Sequence, residues 1–147
     1  MVDVMPPFAL RVVDWTRDLQ ALRAVRTAVF VVEQNIPADL EWDDFDAVSV
    51  HALAVDAAGT PIGCGRLLPD GHIGRMAVLA AWRGQGVGAA LVEHLIGIAK
   101  QRGDTRLQLH AQTQAMPFYA RFGFAPVGVE FVEVGIPHWT MERVLTA

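Results

Sequence analysis

The sequence predicts a single α+β domain in which helices cover both faces of one mixed, mostly antiparallel central sheet. Three observations support this prediction. Short apolar runs separated by turn residues fill the first half of the chain, and strand and helix patterns alternate in the second half. No linker, repeat or low-complexity tract divides the 147 residues. Hydrophobic residues make up 52% of the sequence and charged residues 19%, so residues 1–147 are expected to build one core.

Each element is predicted from a local pattern. Asp14 or Thr16 can cap the first helix, and Asn35-Ile36-Pro37 ends it. Gly103 stands where a left-handed cap would end the second long helix, and Pro117 suits the first turn of a short third helix. In order, the predicted elements are a strand over 8–13, a helix over about 14–33, strands over 51–55, 61–68 and 72–79, a helix from 84 or 86 to 102, a strand over 106–111, a short helix over 117–122, and strands over 127–134 and 139–145.

Composition and charge argue against several classes of function. The net charge of -4 and the pI near 5.6 do not suit a nucleic-acid-binding protein, which needs a basic face. No apolar run is long enough for a membrane helix, and Met1–Phe8 lacks the pattern of a secretory signal. Cys64 is the single cysteine, so no intramolecular disulfide can form, which fits a reducing compartment. We therefore expect a cytoplasmic protein that binds neither nucleic acid nor membranes.

A glycine-rich turn between a predicted strand and a predicted helix carries the strongest functional signal. Gly84, Gly86 and Gly88 lack a Cβ, so the backbone can approach a ligand closely. The first N–H groups of the following helix have no partner within it, and together with the helix dipole they favour a pyrophosphate. The turn lacks the Gly-Lys-Ser/Thr ending of a nucleoside-triphosphate loop, and its spacing differs from that of a dinucleotide fingerprint.

The run Arg83-Gly84-Gln85-Gly86-Val87-Gly88 matches the acetyl-CoA signature Gln/Arg-x-x-Gly-x-Gly/Ala. With a strand before it, a helix after it and the aromatic run 118–124 downstream, the chain resembles the GNAT N-acetyltransferases over most of its length. The alternative is a glycine-rich turn that only closes a strand–helix corner. Further segments resemble the ElaA/YjcF-like branch of the superfamily, and they sharpen the fold rather than the acceptor. These segments are Val29–Gln34, Asp43 with Asp46, His51, Ala111–Tyr119 and Gly135–His138.

The resemblance implies an acetyl-CoA site and assigns roles to matched positions. The strand residues Met76, Ala77 and Val78 would pair their backbone with the pantetheine arm, like an added strand. A gap between this strand and the strand over 106–111 would admit the thioester. Arg83 would also offer its charge to the phosphates, unless it is only a solvated residue at the helix start. The residues whose backbone amides would hold the pyrophosphate are Arg83, Gly84, Gln85, Gly86, Val87 and Gly88.

Tyr119, the single tyrosine of the chain, is the second position to which the resemblance gives a role. It would lie against the cofactor and protonate the departing thiolate of CoA, since that thiolate needs a nearby donor. The alternative is a packing residue beside Phe118 and Phe122 on a short helix. We expect the catalytic role.

Acyl transfer to an alkyl amine requires help with deprotonation, because an amine with a pKa near ~10.4 is mostly protonated at neutral pH. A carboxylate or histidine is the usual device, and we expect Glu33 and His138 to serve the acceptor. Glu33 is unfavourably placed near a helix C-terminus, and Gly135-Ile136-Pro137 predicts a rigid turn that aims His138. The acidic run 40–46 could attract a cationic acceptor, although it is most simply an exposed acidic loop. The other candidates are Glu41, Asp43, His110 and Glu133.

Three functions are compatible with these patterns. The chain could acetylate a small amine, acetylate a protein lysine or N-terminus, or bind acyl-CoA as a regulatory module without catalysis. No base stands at a recognisable spacing from Cys64, so direct attack of the amine on acetyl-CoA is expected rather than an acyl-cysteine. The scattered histidines show no metal-ligand spacing, and no metal site is expected. The last two strands could pair with a second copy in a homodimer, while the acceptor and the acyl-chain length stay open.

Overall fold

The computed structural model describes residues 7–145, so most of the Met1–Phe8 stretch discussed above lies outside the described residues. No helix in the described range is long and apolar enough to cross a membrane. The seven strands are β1 (Phe8–Val13), β2 (Val50–Asp56), β3 (Pro61–Leu67), β4 (His72–Val78), β5 (Arg106–Gln112), β6 (Ala125–Glu133) and β7 (Ile136–Val144). The four α-helices are α1 (Leu19–Arg26), α2 (Ala38–Glu41), α3 (Val87–Arg102) and α4 (Met116–Ala120).

The strands form one sheet in the order β1-β2-β3-β4-β5-β7-β6. The first four strands pair antiparallel in a meander, and β7 pairs antiparallel with both β5 and β6. Strands β4 and β5 are parallel neighbours, joined across the sheet by α3. The predicted mixed, mostly antiparallel sheet is therefore confirmed, and so are its predicted strands to within a few residues.

Helices cover both faces of the sheet, as predicted. On one face α3 buries Leu91 and Leu95 against β2, β3 and β5. On the other face α1 buries Leu22 and Val25 against a second cluster that includes Leu53. The central strands are therefore packed between two apolar layers. This packing fixes the positions of the strand ends and of the loops that follow them.

The first long helix begins at Leu19, later than the predicted start near residue 14, and then changes its pitch. The Oδ1 atom of Asp14 accepts N–H bonds from Thr16 at 2.8 Å and Arg17 at 3.0 Å, which caps the turn before α1. The prediction of one continuous α-helix to residue 33 was wrong, because Thr27–Glu33 forms a π-helix. The spacing of the apolar residues in the sequence is compatible with an α-helix and with a π-helix. The wider turns rotate the residues that follow, and both Glu33 and Gln34 come to line the large cavity described below.

The last two strands form a hairpin whose turn differs from the prediction. Glu133 pairs with Ile136, so the turn is Val134-Gly135, with φ values of +47° and +77°. Positive φ at both central residues matches the twist of a two-residue hairpin. The predicted rigid turn Gly135-Ile136-Pro137 is therefore wrong, and His138 is aimed by strand β7. Strand β6 forms an edge of the sheet, and a homodimer through it stays a prediction.

Candidate active site

The glycine-rich turn forms an open cradle at the start of α3. Gly84 and Gly86 have φ values of +76° and +86°, which favour glycine, and a Cβ added at either would meet no atom within 4 Å. The space that two side chains would fill is thus left open beside the first N–H groups of α3, which have no partner within the helix. A Cβ at Gly88 would lie 3.4 Å from Phe118 Cζ, so this glycine packs α4 against the cradle. These features fit a diphosphate group.

Arg83 and Glu33 are paired with each other. The Arg83 Nη1 and Nη2 atoms lie 2.7 Å and 2.6 Å from the two Glu33 oxygens, and Arg83 Nε donates to the Val78 carbonyl at 3.1 Å. The hydrogen bond from Arg83 lowers the pKa of Glu33, and the same bond raises the pKa of Arg83. The structure thus joins two residues that the sequence assigned to opposite substrates. Both side chains are nearly half exposed, so the bond can exchange with solvent.

Strands β4 and β5 separate soon after they pair. Their register covers only His72 with Gln108 and Ile73 with Leu109, so the rest of β4 runs beside a gap. Within β4 the pairing to β3 shifts, because Cys64 faces Ala77 while Arg66 faces Gly74. Two residues of β4 therefore oppose one residue of β3, which is a β-bulge. The gap expected from the resemblance is present beside Met76, Ala77 and Val78.

One cavity of about 1110 Å³ joins these parts. At one end it is lined by Gly84, Gly86 and Gly88, and along its middle by β4 and Tyr119. At the other end it is lined by imidazole and carboxylate side chains from β5, β6 and β7. A molecule lying in the cradle can therefore extend through the gap to an acid–base cluster without leaving the protein.

Burial shifts the pKa of Tyr119 and that of Cys64 in the same direction. Burial raises the pKa of Tyr119 to about 12, and burial raises the pKa of Cys64 to about 12. Tyr119 lines the cavity and packs against Phe118 at 5.0 Å between ring centroids, so it has both a packing contact and access to a ligand. Cys64 is 1% exposed, which confirms the buried structural thiol that the sequence predicts.

Three residues at the end of the cavity away from the glycine cradle are in contact, and we call this group the acceptor end. His138 Nδ1 lies 2.7 Å from the Ile136 carbonyl, so Nδ1 carries the proton and Nε2 keeps a lone pair in the neutral ring. That Nε2 lies 3.8 Å from Glu133 Oε2, while Glu133 Oε1 lies 3.3 Å from His110 Nδ1. Phe131 stacks on His138 and meets His110 edge-on, which fixes both rings. Of the residues predicted for the acceptor side, the structure brings together His138, Glu133 and His110.

The acidic run is only partly exposed, contrary to the simplest interpretation of the sequence, because Asp44 and Phe45 are exposed whereas Glu41 and Asp46 are buried. Glu41 and Asp46 are 3% and 1% exposed, and Arg26, itself 1% exposed, bonds both of them at 2.7 Å. The Arg26 guanidinium also lies over the rings of Trp42 and Trp15, at 4.6 Å and 5.4 Å from their centroids. These two carboxylates can be buried because the buried guanidinium of Arg26 compensates their charge.

Two further arginines complete this buried ion cluster, whose members are Arg26, Glu41, Asp43, Asp46, Arg66 and Arg75. Arg66 Nη1 lies 2.7 Å from Asp43 and 2.8 Å from Asp46, and Arg75 bonds Glu41 and Asp43. Burial by itself raises the pKa of Asp46, but the bonds and charges of Arg26 and Arg66 outweigh it, so the pKa lies below its ordinary value. The cluster has as many guanidinium groups as carboxylates and is therefore neutral as a whole.

His51 contacts the same cluster, so it lies beside the segment that contains Asp43 and Asp46. His51 Nε2 lies 2.7 Å from the Asp46 carbonyl, and its ring stacks on Trp15 at 5.0 Å. Burial is the main cause that lowers the pKa of His51, so the ring is neutral at pH 7. His51 and Asp43 with Asp46, quoted above for the resemblance, thus belong to a structural network.

Sequence reasoning missed the arginines of the cluster and a chain of amides. Arg66 lies inside an apolar strand pattern, which was the available signal for a buried cation. Gln112 donates to Gln34 at 2.9 Å and accepts from Gln114 at 2.6 Å, which ties the end of the π-helix to the end of β5. No local pattern identifies these glutamines, because their partners are far apart in sequence.

The comparisons with known proteins agree with this geometry. The family model described as "Acetyltransferase (GNAT) domain" matches residues 20–145. The N-acetyltransferase YjcF of Bacillus subtilis is 40% identical over 123 residues, which cover 81% of this chain and 87% of the relative. A solved acyl-CoA N-acyltransferase from Pseudomonas aeruginosa superposes with a TM-score of 0.83 at 34% identity, covering 93% of this chain and 99% of that chain.

The crystal structure of ElaA from Escherichia coli is similar to the same extent. It superposes with a TM-score of 0.82 at 32% identity and covers 92% of this chain and 99% of that chain. The resemblance to the ElaA/YjcF-like branch is therefore confirmed, and GNAT enzymes use acetyl-CoA as co-substrate. On its sequence match, its fold and the architecture of its cavity, this chain belongs to the GNAT acetyltransferase family and is an acyltransferase.

Proposed function

We propose that the protein transfers an acetyl group from acetyl-CoA to the primary amine of a small acceptor by direct attack on the thioester. The observation that carries this proposal is the single cavity that joins the glycine cradle to the acid–base residues at its other end. A binding module would need the cradle, whereas the imidazole and carboxylate cluster at the far end is useful for moving protons.

The cradle residues Gly84, Gly86 and Gly88 and the start of α3 would hold the pyrophosphate, and β4 would lie along the pantetheine arm. Bound acetyl-CoA supplies an activated acyl group, so the protein has only to place the amine and handle two protons. The first is the proton removed from the ammonium so that its nitrogen can attack. The second is the one delivered to sulfur as the C–S bond breaks, and the proton that the nitrogen loses on becoming an amide replaces it.

His138 is our choice for the first proton and Tyr119 for the second. The Ile136 carbonyl holds the His138 tautomer in which Nε2 has a free lone pair, which is the form that a general base requires. Tyr119 keeps its proton at neutral pH, as an unperturbed phenol with a pKa near ~10 does, and burial raises its pKa further to about 12, so its hydroxyl is available as a donor. Glu33, the other predicted base, is less suited because both its oxygens are bonded to Arg83.

Glu133 supports this assignment for a positively charged acceptor. Its carboxylate lies between His138 and His110, and its side chain is 45% exposed at the cavity wall. A carboxylate at this position attracts an ammonium group and stabilises the imidazolium that forms when His138 takes the proton.

Calorimetric titration with acetyl-CoA, CoA and NADH tests the donor site, and CoA release across a panel of amines tests the transfer. We expect both CoA species but not NADH to bind. Replacing Tyr119→Phe should reduce turnover by about 10²–10⁴-fold with little change in CoA affinity. A protein that binds neither CoA species contradicts the proposal. A protein that binds CoA, releases none with any amine and is indifferent to Tyr119→Phe is a regulatory module instead.

A further inference from the structure

One carboxylate that lines the cavity is not compensated by an arginine. Within residues 7–145 the carboxylate side chains that line the cavity are Glu33, Glu41, Asp43 and Glu133. Arginines bond the first three, through the bridge to Arg83 and through the buried ion cluster. Glu133 instead contacts the two imidazoles of the acceptor end. A first ammonium group in this cavity can therefore pair with Glu133, whereas a second one would be desolvated without a free carboxylate to receive it.

Large apolar side chains are exposed at the rim of the same cavity. Leu40 is 52% exposed, Phe45 54% and Val134 42%, and all three line the cavity. Leu40 and Phe45 lie on the segment that carries the acidic run, whereas Val134 lies in the β6–β7 turn next to Glu133. Covering exposed apolar surface with an apolar ligand is favourable. Two separate segments thus offer apolar contact to a molecule whose charge is bound at Glu133.

The buried ion cluster fixes the position of the apolar segment. The Phe45 N–H donates to Asp43 Oδ1 at 3.1 Å, and the two oxygens of Asp43 accept from Arg66 at 2.7 Å and 2.8 Å. Next to Leu40, the Glu41 carbonyl accepts bonds from two other arginines of the cluster, at 2.8 Å and 3.1 Å. The backbone that carries Leu40 and Phe45 is therefore ordered before an acceptor arrives, which lowers the entropic cost of binding.

The floor of the cavity between this segment and Glu133 crosses β3, β4 and β5. A Cβ added at Gly74 of β4 would lie 3.9 Å from Arg66 Nε, so Gly74 faces the cluster without a side chain. His72, two residues earlier on the same face of β4, meets His110 of β5 edge-on at 6.1 Å between ring centroids. His110 in turn contacts Glu133. Two steps between neighbouring strands give a floor of roughly 10 Å, which suits a body of several carbons.

We propose that the acceptor is an apolar monoamine, with a single ammonium group that binds at Glu133 and a hydrocarbon body that Leu40, Phe45 and Val134 cover. This inference rests on the acetyl transfer proposed above and names the class of its acceptor. Polyamines and amino sugars are disfavoured, because their further ammonium or hydroxyl groups would be buried without partners. The acidic run holds the apolar contacts in place, and its carboxylates do not bind the acceptor.

Three amines of nearly equal length separate the effect of charge from that of the body, when CoA release is measured with the full chain and acetyl-CoA. Hexylamine has one ammonium group and a hydrocarbon body. Hexamethylenediamine adds a second ammonium group at the far end, and diglycolamine keeps one ammonium group but has oxygen in place of two carbons. We expect kcat/KM for hexylamine to exceed that for each of the other two by about tenfold or more.

Two variants test the apolar contacts at side chains that are already exposed, so both proteins should fold. Phe45→Gln should lower kcat/KM for hexylamine by about 5–20-fold and leave that for diglycolamine within about twofold. Leu40→Glu supplies a second carboxylate, so it should shift the ratio of kcat/KM values by about tenfold in favour of hexamethylenediamine over hexylamine. Val129→Gln is the matched control and should change none of the values, because Val129 is 76% exposed on β6 and lies outside the cavity lining.

The inference is overturned if hexamethylenediamine or diglycolamine matches hexylamine in the unmodified protein. It is also overturned if Phe45→Gln lowers kcat/KM equally for all three amines, or if Leu40→Glu leaves the ratio unchanged. The affinity of both variants for CoA, measured by calorimetry, should stay within about twofold, and a parallel loss of CoA affinity counts against the inference. A protein that binds no CoA, or releases none with any amine, overturns the proposed function instead, so the two failures are distinguishable.

Discussion

The two ends of the cavity are built from different kinds of groups. The donor end consists of glycine backbone and the first N–H groups of α3, and its open space comes from side chains that are missing at Gly84 and Gly86. The acceptor end consists of side chains from β5, β6 and β7, held by the contacts of Glu133 with two histidines, and the buried ion cluster is a second side-chain network that lines the same cavity. One end is continuous in sequence, and the other is assembled from segments far apart.

This difference predicts different responses to mutation. A backbone cradle tolerates changes in neighbouring side chains but not the addition of a Cβ within it. A side-chain network is sensitive to the loss of any one buried charge, because the remaining partners stay buried and uncompensated. The bridge between Glu33 and Arg83 connects the two ends and is exposed, so it should matter least for stability.

The largest effect is expected from removing the central cation of the cluster. Arg26→Met should lower the free energy of unfolding by about 3–5 kcal/mol, because Glu41 and Asp46 would be left buried without their partner. Guanidinium unfolding measures the change. Arg17→Met is the control, since Arg17 just before the same helix is 76% exposed and should cost less than about 0.5 kcal/mol. Equal losses for the two variants would show that the buried carboxylates do not depend on Arg26.

A smaller but specific effect is expected at the cradle. Gly86→Val should weaken CoA binding by roughly 10–100-fold, because its side chain fills the ligand space and resists a φ of +86°. Calorimetry measures this loss. Gly97→Ala serves as control, because Gly97 is inside α3 with open space around it and should gain about 0.5–1 kcal/mol of stability. A Gly86→Val protein with unaltered CoA affinity would remove the glycine cradle from the binding site.

Acidification should destabilise the fold through His51 and the buried ion cluster. The folded pKa of His51 is lowered, so the unfolded chain binds more protons and stability falls as pH drops below about 6.5. The pKa values of Asp43 and Asp46 are also lowered, so their contribution is present above about pH 4 and is lost below it. The thermal unfolding midpoint measured from neutral to acidic pH should fall in both windows. A midpoint that rises on acidification contradicts the buried ion cluster.

The smallest effect on stability is expected at the bridge. Glu33→Gln should change the free energy of unfolding by less than about 1 kcal/mol, because both partners are largely solvated. The same variant should raise CoA affinity by up to about fivefold, since it frees Arg83 for the phosphates, whereas Arg83→Gln should lower it. Calorimetry at low salt compares the two. If Arg83→Gln binds CoA normally, the arginine has no role at the donor end.

The strands and long helices could be predicted because local patterns encode them. Short apolar runs between turn residues predicted β2, β3 and β4, and Gly103 was predicted as the left-handed cap of α3, where its φ is +89°. The π-helix at 27–33 was not predictable in the same way, because a change of pitch leaves the apolar spacing almost unchanged. The predicted turn lay one residue too far along the chain. Proline is typical of turns, so Pro137 favoured a turn at 135–137, whereas the residues with positive φ are Val134 and Gly135.

The donor end could be located from one short motif, because backbone groups that lie next to each other in sequence form it. The buried ion cluster could not, because its charges lie on α1, β3, β4 and the loop between residues 38 and 48. An acidic run looks like a solvated loop until its counter-ions are known. Arg26, Arg66 and Arg75 supply those counter-ions from far along the chain, and only the fold brings them together.

The sequence by itself determined the α+β architecture, the family and the position of the glycine-rich turn. Each depends on periodicity or on residue types at fixed local spacing. The tertiary structure decided that Glu33 pairs with Arg83, that two carboxylates of the acidic run are buried, and that Glu133 lies between His110 and His138. These facts depend on charges meeting across many intervening residues, and the energy of such a meeting is set by burial, which a linear pattern does not encode.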